Sequence, residues 1–377
     1  MVRFSKILAF VILAALLVSV LAGCGESAEP TVTVENPEYY QKYKDAGISI
    51  NVYNWGEYIS DGEDGTLNIN KEFTKLTGIK VNYSTFATNE EMYAKLKAGA
   101  ATYDVVIPSD YMISRMIDEN MLEPLNKDNI PNYKYIMDNF VSPEYDEGAK
   151  YSIPYTWGTV GIIYDKEEIT VDESQIDWDI LWNKDYADRI LMFDNPRDAF
   201  AIAEIVCGYS LNSENPDELK VAYEKLLEQK GVVQAYVMDE IFDKMGAREA
   251  VLAPYYAGDA MTLMADYDHL GFVVPKSGTN LFVDAMCIPR GSAQKEAAEM
   301  YINFMCETEV ALATAEYIGY STPHNAAFEL LSDEVKNNKI SYPDNDYLNN
   351  YTEVFRNLSP ETNQLMQELW TEMKANA

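Results

Sequence analysis

The chain has 377 residues, a formal net charge of −32 and an apolar fraction of 47%. That apolar content supports a globular fold, and the acidity excludes nucleic acid as a natural partner, because two polyanions repel. Beyond the leader described next, roughly 350 residues remain, more than one compact core usually organises, so two lobes are expected.

Arg3 and Lys6 precede an apolar run from Ile7 to Leu21 that ends in "LAGC", Leu21–Cys24. A run of about 15 residues suits a signal peptide and is short for a membrane span, which needs about 20. Small residues before a cysteine resemble a bacterial lipoprotein processing site. Residues 1–23 are therefore expected to be removed and Cys24 to carry lipid, with residues 24–47 as a tether that begins in the polar tract Gly25–Asn36.

The first strand is announced by Ile48, Ile50 and Val52 alternating with Ser49, Asn51 and Tyr53, and it runs out into "NWGEY", Asn54–Tyr58. A helix over Ile69–Leu76 and a strand over Gly78–Phe86 follow. Thr88 and Glu91 have capping-box spacing for a helix to about Gly99 with Met92 and Leu96 on its buried face. "YDVVIPS", Tyr103–Ser109, is a short strand followed by a helix carrying Ile113, Met116 and Ile117. Strands alternating with helices at this pitch predict an α/β fold with a mostly parallel sheet. Tyr151–Asp165 reads as strand interrupted by Pro154 and Gly158, suited to a hinge or crossover. Beyond it come the strand Arg189–Asp194, a helix from about Arg197, the stretch Ala250–Ala260 and the strand Leu281–Pro289. Helices over Gln294–Cys306 and Val310–Ile318 complete the series, the second stopped by Gly319.

Several chemistries lack their motifs. No GxGxxG follows a strand, and Walker and GxSxG motifs are absent. The two histidines, His269 and His324, lie far apart, which argues against a histidine-based nucleophilic or zinc site. Asp61–Glu72 has acids at the first and twelfth positions of a calcium-type loop, but Thr66 stands where glycine is needed, so it reads as a solvated surface loop. Cys207, Cys287 and Cys306 sit in apolar surroundings without CxxC spacing and read as buried free thiols, with one pairing left open. No metal, no cofactor and no enzymatic activity are expected.

In open α/β sheets ligands bind at the carboxyl ends of the strands. Those ends carry Trp55, Glu57 and Tyr58; Ser109, Asp110 and Tyr111; Asp194, Asn195 and Asp198; Tyr255, Tyr256 and Asp259; Phe282 and Asp284; and Tyr320. Aromatics and carboxylates dominate, and Arg197 is the only base. Aromatic faces give apolar area to methylenes and attract ammonium ions, worth on the order of 1–2 kcal/mol when desolvated. Carboxylates spaced along a cleft neutralise separate positive heads that could not be buried unpaired. A flexible aliphatic polycation fits such a trench, and an anion does not.

At these residues the sequence resembles the bacterial spermidine/putrescine-binding proteins of ABC importers, through "YNWGEYI", "FTKLTGIKVNYSTFATNEEMYAKL", "YDVVIPSDYM", "YSIPYTWGT", "FVDAMCIPRGSAQKEAAEMYINFM" and "YIGYSTPHNAA". The resemblance implies a type II periplasmic-binding-protein fold, with lobe 1 formed by 48–159 plus 283–328 and lobe 2 by 160–282 plus 329–377. Crossing strands near Thr159 and Val283 would join the lobes, which close over a polyamine by a hinge motion. Trp55, Glu57, Tyr58, Ser109, Tyr111 and Tyr320 match ligand-contacting positions of the family unchanged, and Asp284 matches the acid that meets an amine near mid-site. Asp198 falls where glutamate is common, and Tyr256 and Phe282 where tryptophan is usual. Asn195 stands where the family often carries an acid, and an amide accepts from an ammonium without neutralising it, which points to a shorter or differently placed amine. The implied protein is a monomeric, extracytoplasmic receptor, anchored through lipid on Cys24 to the periplasmic or outer face of the cell membrane. It would deliver polyamine to permease subunits driven by a cytoplasmic ATPase. An oligosaccharide-binding lipoprotein of the same fold would also use aromatic platforms, but would not require an acid at nearly every strand end. A carboxylate-dependent extracellular hydrolase would need an acid/base pair that nothing in the sequence marks.

Overall fold

The computed structural model describes residues 30–99 and 102–375; the expected leader and Cys24 lie outside the described residues. The strands are β1 (Ser49–Trp55), β2 (Lys80–Phe86), β3 (Val105–Val106), β4 (Ser152–Asp165), β5 (Ile190–Phe193), β6 (Val233–Val237), β7 (Leu252–Tyr256), β8 (Leu270–Val273), β9 (Thr279–Cys287) and β10 (Thr352–Glu353). Their order is β2-β1-β3-β9-β4-β7-β5-β6, with β8 added on β4 and β10 on β9.

The expected mostly parallel sheet is found at its two ends, and in its middle only the short β10 lies parallel, on β9. β1 pairs in parallel with β2 and β3, and β5 with β6 and β7, as βα connections require. Between them β9 runs antiparallel to β3 and β4, and β4 antiparallel to β7 and β8. Thr159 lies opposite Leu281, and Trp157 opposite Val283, on the two strands that cross from one parallel group to the other.

β4 is one strand of 14 residues, buried along its whole length, and neither expected interruption breaks it. Pro154 sits where the register shifts between Pro154 and Thr156, the place where a residue without an N–H costs no ladder bond. Gly158 leaves room for the Phe282 ring, whose tip would lie 2.9 Å from an added Cβ.

The helix expected after Ile69 spans Ile69–Thr77 and is capped by Asn68, whose side chain accepts from Lys71 N at 2.8 Å. In the helix Asn89–Lys97, Thr88 Oγ1 accepts from Glu91 N at 3.1 Å. The Glu91 carboxylate reaches back to Ala87 N at 3.2 Å, one residue beyond the usual capping-box partner. Of Asp61–Glu72, expected as a solvated surface loop, only the part before Leu67 is surface turn. Leu67, Ile69 and Glu72 are buried, and residues 69–72 are the first turn of the helix that Asn68 caps. Cys287 and Cys306 are buried and free, and Cys207 is free but only half-buried. Among the described residues no helix is long and apolar enough to cross a membrane.

Candidate functional site

β1 ends because the chain turns sharply at Gly56-Glu57. Glu57 adopts φ +49°, a left-handed conformation costing about 1–3 kcal/mol in a non-glycine residue. The turn sends Tyr58 back into the interior, where its carbonyl accepts from Tyr155 OH at 2.6 Å. The Tyr58 hydroxyl donates to Asp284 Oδ2 at 2.6 Å and lies 2.5 Å from Thr156 Oγ1. Asp284 reaches this point because Ser109, just past β3, pairs with it across the antiparallel seam, fixed by Ala285 N donating to Pro108 O at 3.1 Å. Asp110 ties the same seam from behind, its Oδ2 accepting from Val283 N at 3.0 Å, so it braces β9 from outside the cavity.

All eleven residues expected at the site line one cavity: Trp55, Glu57, Tyr58, Ser109, Tyr111, Asn195, Asp198, Tyr256, Phe282, Asp284 and Tyr320. Asp194 does not; it is exposed and pairs with Lys374 Nζ at 2.9 Å. Residues not expected there include Phe86, Asn89, Asp239, Phe242, Asn280 and Phe355. Asp239 follows β6, and reading that strand's end would have found it. Phe355 comes from the distant C-terminal segment and carries no local signal.

Among the described residues, five carboxyl side chains line the cavity, Glu57, Asp198, Asp239, Asp259 and Asp284, and no Lys, Arg or His does. Asp198 Oδ2 accepts from Asn195 Nδ2 at 2.6 Å and from Tyr256 OH at 2.9 Å. Asp259 Oδ2 accepts from Tyr320 OH at 2.8 Å. The buried Oδ1 of Asp284, by contrast, has no protein partner. Tyr58, Tyr320, Phe282 and Tyr256 form a continuous wall of edge-to-face rings with centroids 4.8, 6.1 and 5.5 Å apart in succession. Burial pushes the carboxyls of Asp284, Asp198 and Asp259 up to about 6, about 7 and about 8, although hydrogen bonds from Tyr58, Tyr256 and Tyr320, respectively, partly offset it.

Two residues differ from their sequence-based roles. Glu57 is exposed at the cavity's mouth and is no buried counter-charge. Asn195 is internally satisfied: its Oδ1 accepts from Arg197 N at 3.0 Å, capping the helix Pro196–Val206, while its amide donates to Asp198. It orients the Asp198 carboxylate, and its carbonyl is already engaged by the Arg197 N–H.

Gly258 sits under Tyr320, and an added Cβ would overlap that ring. Gly258→Ala is expected to cost about 1–3 kcal/mol through overpacking and to release Asp259 from Tyr320. A chemical-denaturation midpoint unchanged from wild type would contradict this contact.

The family model of the bacterial extracellular solute-binding protein matches residues 100–351. The spermidine/putrescine-binding periplasmic protein of Escherichia coli is 35% identical over 309 residues, covering 82% of this chain and 87% of that protein. A solved structure from Listeria monocytogenes, described as a candidate spermidine/putrescine ABC transporter, is 38% identical with a TM-score of 0.82, covering 87% of this chain and 99% of that one. The spermidine/putrescine ABC transporter substrate-binding protein of Streptococcus pneumoniae is 36% identical with a TM-score of 0.72, covering 87% and 99%.

Proposed function

Because the chain belongs to the bacterial extracellular solute-binding protein family, we propose that it captures a polyamine, spermidine or putrescine, in this cavity and delivers it to an ABC importer. It is a substrate-binding transport protein, not an enzyme. The observation that carries the ligand assignment is the lining itself: five carboxyls, no base, aromatic walls, and a buried carboxylate oxygen on Asp284 left for a donor from outside the protein. Ammonium groups supply the missing donors and charge, and the ring faces take the methylenes between them.

The lobes of this reading are 48–159 plus 283–328 and 160–282 plus 329–377. Support comes from the crossing of β4 and β9 between the two parallel groups, with the cavity drawing residues from both sides. The receptor works outside the cytoplasm as a monomer, held to the membrane by lipid on Cys24 and docking on permease subunits with their ATPase. The "LAGC" motif supports the anchor, and the relatives' names support the compartment and the transporter.

Calorimetric titration with spermidine, putrescine and a maltodextrin tests the reading. Saturable binding of a polyamine and none of the sugar is expected, and the reverse result would contradict it. Glu57→Gln should weaken polyamine binding by less than about 1 kcal/mol, because an exposed carboxylate is screened by water and salt. A loss above about tenfold in the same titration would place Glu57 deeper in the complex than its exposure indicates.

A further inference from the structure

The cavity's end beside Asp198 is closed by a residue from the C-terminal segment. Phe355 lies between β10 and the helix Pro360–Ala375, is 4% exposed, and faces the cavity. Its ring meets Tyr111 edge-on, with centroids 5.7 Å apart. Behind it is the Arg197 guanidinium, 4.2 Å from the ring centroid. Arg197 is buried and does not itself reach the cavity; its Nη1 donates to Leu211 O at 3.0 Å and its Nη2 to Asn212 Oδ1 at 2.8 Å.

The wall is anchored as well as backed. Asn212 Nδ2 donates to Val354 O at 2.9 Å, and Asn212 Oδ1 accepts from Arg356 N at 2.8 Å. Asn357 Nδ2 donates to Asp118 Oδ2 at 3.0 Å, and Ser359 N to Glu214 Oε2 at 3.1 Å. Phe355 is thus held in place by bonds on both sides of it in sequence.

Resting on the polyamine reading, we propose that Phe355, backed by Arg197, is the stop that sets the longest polyamine the cavity accepts. Acceptors follow one another along the wall of rings: Asp284 bonded to Tyr58, Asp259 bonded to Tyr320, and Asp198 bonded to Tyr256. Past Asp198 stands the Phe355 ring, and behind it the Arg197 guanidinium already neighbours the acids Glu204, Asp198 and Glu90. A chain long enough to place another ammonium there would have to displace the Phe355 ring and approach a buried guanidinium in a poorly solvated space. Of those acids Glu204 is buried and Glu90 half-buried, and the Tyr111 hydroxyl donates to Glu90 Oε1 at 2.9 Å. The ring excludes the chain by bulk, and Arg197 behind it already occupies the place of a cation among those acids.

Titration of the wild type, Phe355→Ala and Phe355→Leu with putrescine, spermidine and the tetraamine spermine tests this. The wild type should bind spermine at least about tenfold more weakly than spermidine; Phe355→Ala should narrow that gap at least about fivefold; Phe355→Leu should retain most of it. Because the readout is a ratio within each variant, the fraction of folded protein cancels. A wild type that binds spermine as tightly as spermidine, or a Phe355→Ala protein with an unchanged ratio, overturns the stop and leaves the polyamine reading standing. A wild type that binds none of the three overturns both.

Discussion

Asp284→Asn is expected to weaken polyamine binding by about 2–5 kcal/mol, roughly thirtyfold to several thousandfold, while the empty protein stays at least as stable as wild type. The two effects have one cause. Asp284 is 4% exposed, and its Oδ1 has no partner in the protein. In the empty cavity that carboxyl is held up to about 6, chiefly by burial. Near pH 7 it is therefore largely ionised at a cost to the fold of roughly 2–3 kcal/mol relative to an unfolded aspartate. An ammonium offsets that cost. Asparagine has the same shape and removes both the cost and the attraction, while its carbonyl still accepts from Tyr58. Loss of stability together with loss of binding would mean that Asp284 is structural. Unchanged binding would mean that no ammonium meets it.

Polyamine affinity should rise steeply with pH, on the order of ten-thousandfold from pH 5.5 to 8.5, and fall again only as the amines deprotonate near pH 10. Asp284, Asp198 and Asp259 titrate near about 6, 7 and 8 in the empty cavity, burial being the largest cause in each. A bound cation favours their ionised forms, so binding below those values must expel protons, and each group still protonated weakens it. Folding follows the opposite course. A carboxyl raised above its unfolded value stabilises the fold fully below the unfolded value, and that contribution is lost as pH climbs through the raised one. The empty protein should lose stability between about pH 4 and 8, and a saturating polyamine should restore it. Thermal melts with and without spermidine check this: the ligand-induced shift should be larger at pH 8 than at pH 6. A flat or inverted dependence would show that these carboxyls do not hold the cation.

The site was legible in the sequence because one rule finds most of it. Strand ends carry ligand residues in an open α/β sheet, and reading those ends collects the eleven side chains that share the cavity. The rule does not see direction or solvent. Asp194 lies beside Asn195 yet turns outward to Lys374, and Glu57 completes the most recognisable motif yet stands exposed. Nor does it see internal hydrogen bonding, which fixes Asn195 as the group that aims Asp198. The antiparallel centre of the sheet was missed because β4 and β9 are joined only through more than a hundred intervening residues, and local periodicity is silent on such pairing. Phe355 was missed for the same reason: it reaches the cavity through tertiary contacts to Tyr111 and Arg197.

The central claim is that Asp284 meets a ligand ammonium inside the cavity. A crystal structure of the protein with spermidine measures this directly. The account predicts an amine nitrogen about 2.7–3.2 Å from Asp284 Oδ1, with the methylenes along the Tyr256, Phe282 and Tyr320 rings. A spermidine bound elsewhere, or one in the cavity whose nitrogens all avoid Asp284, would contradict it.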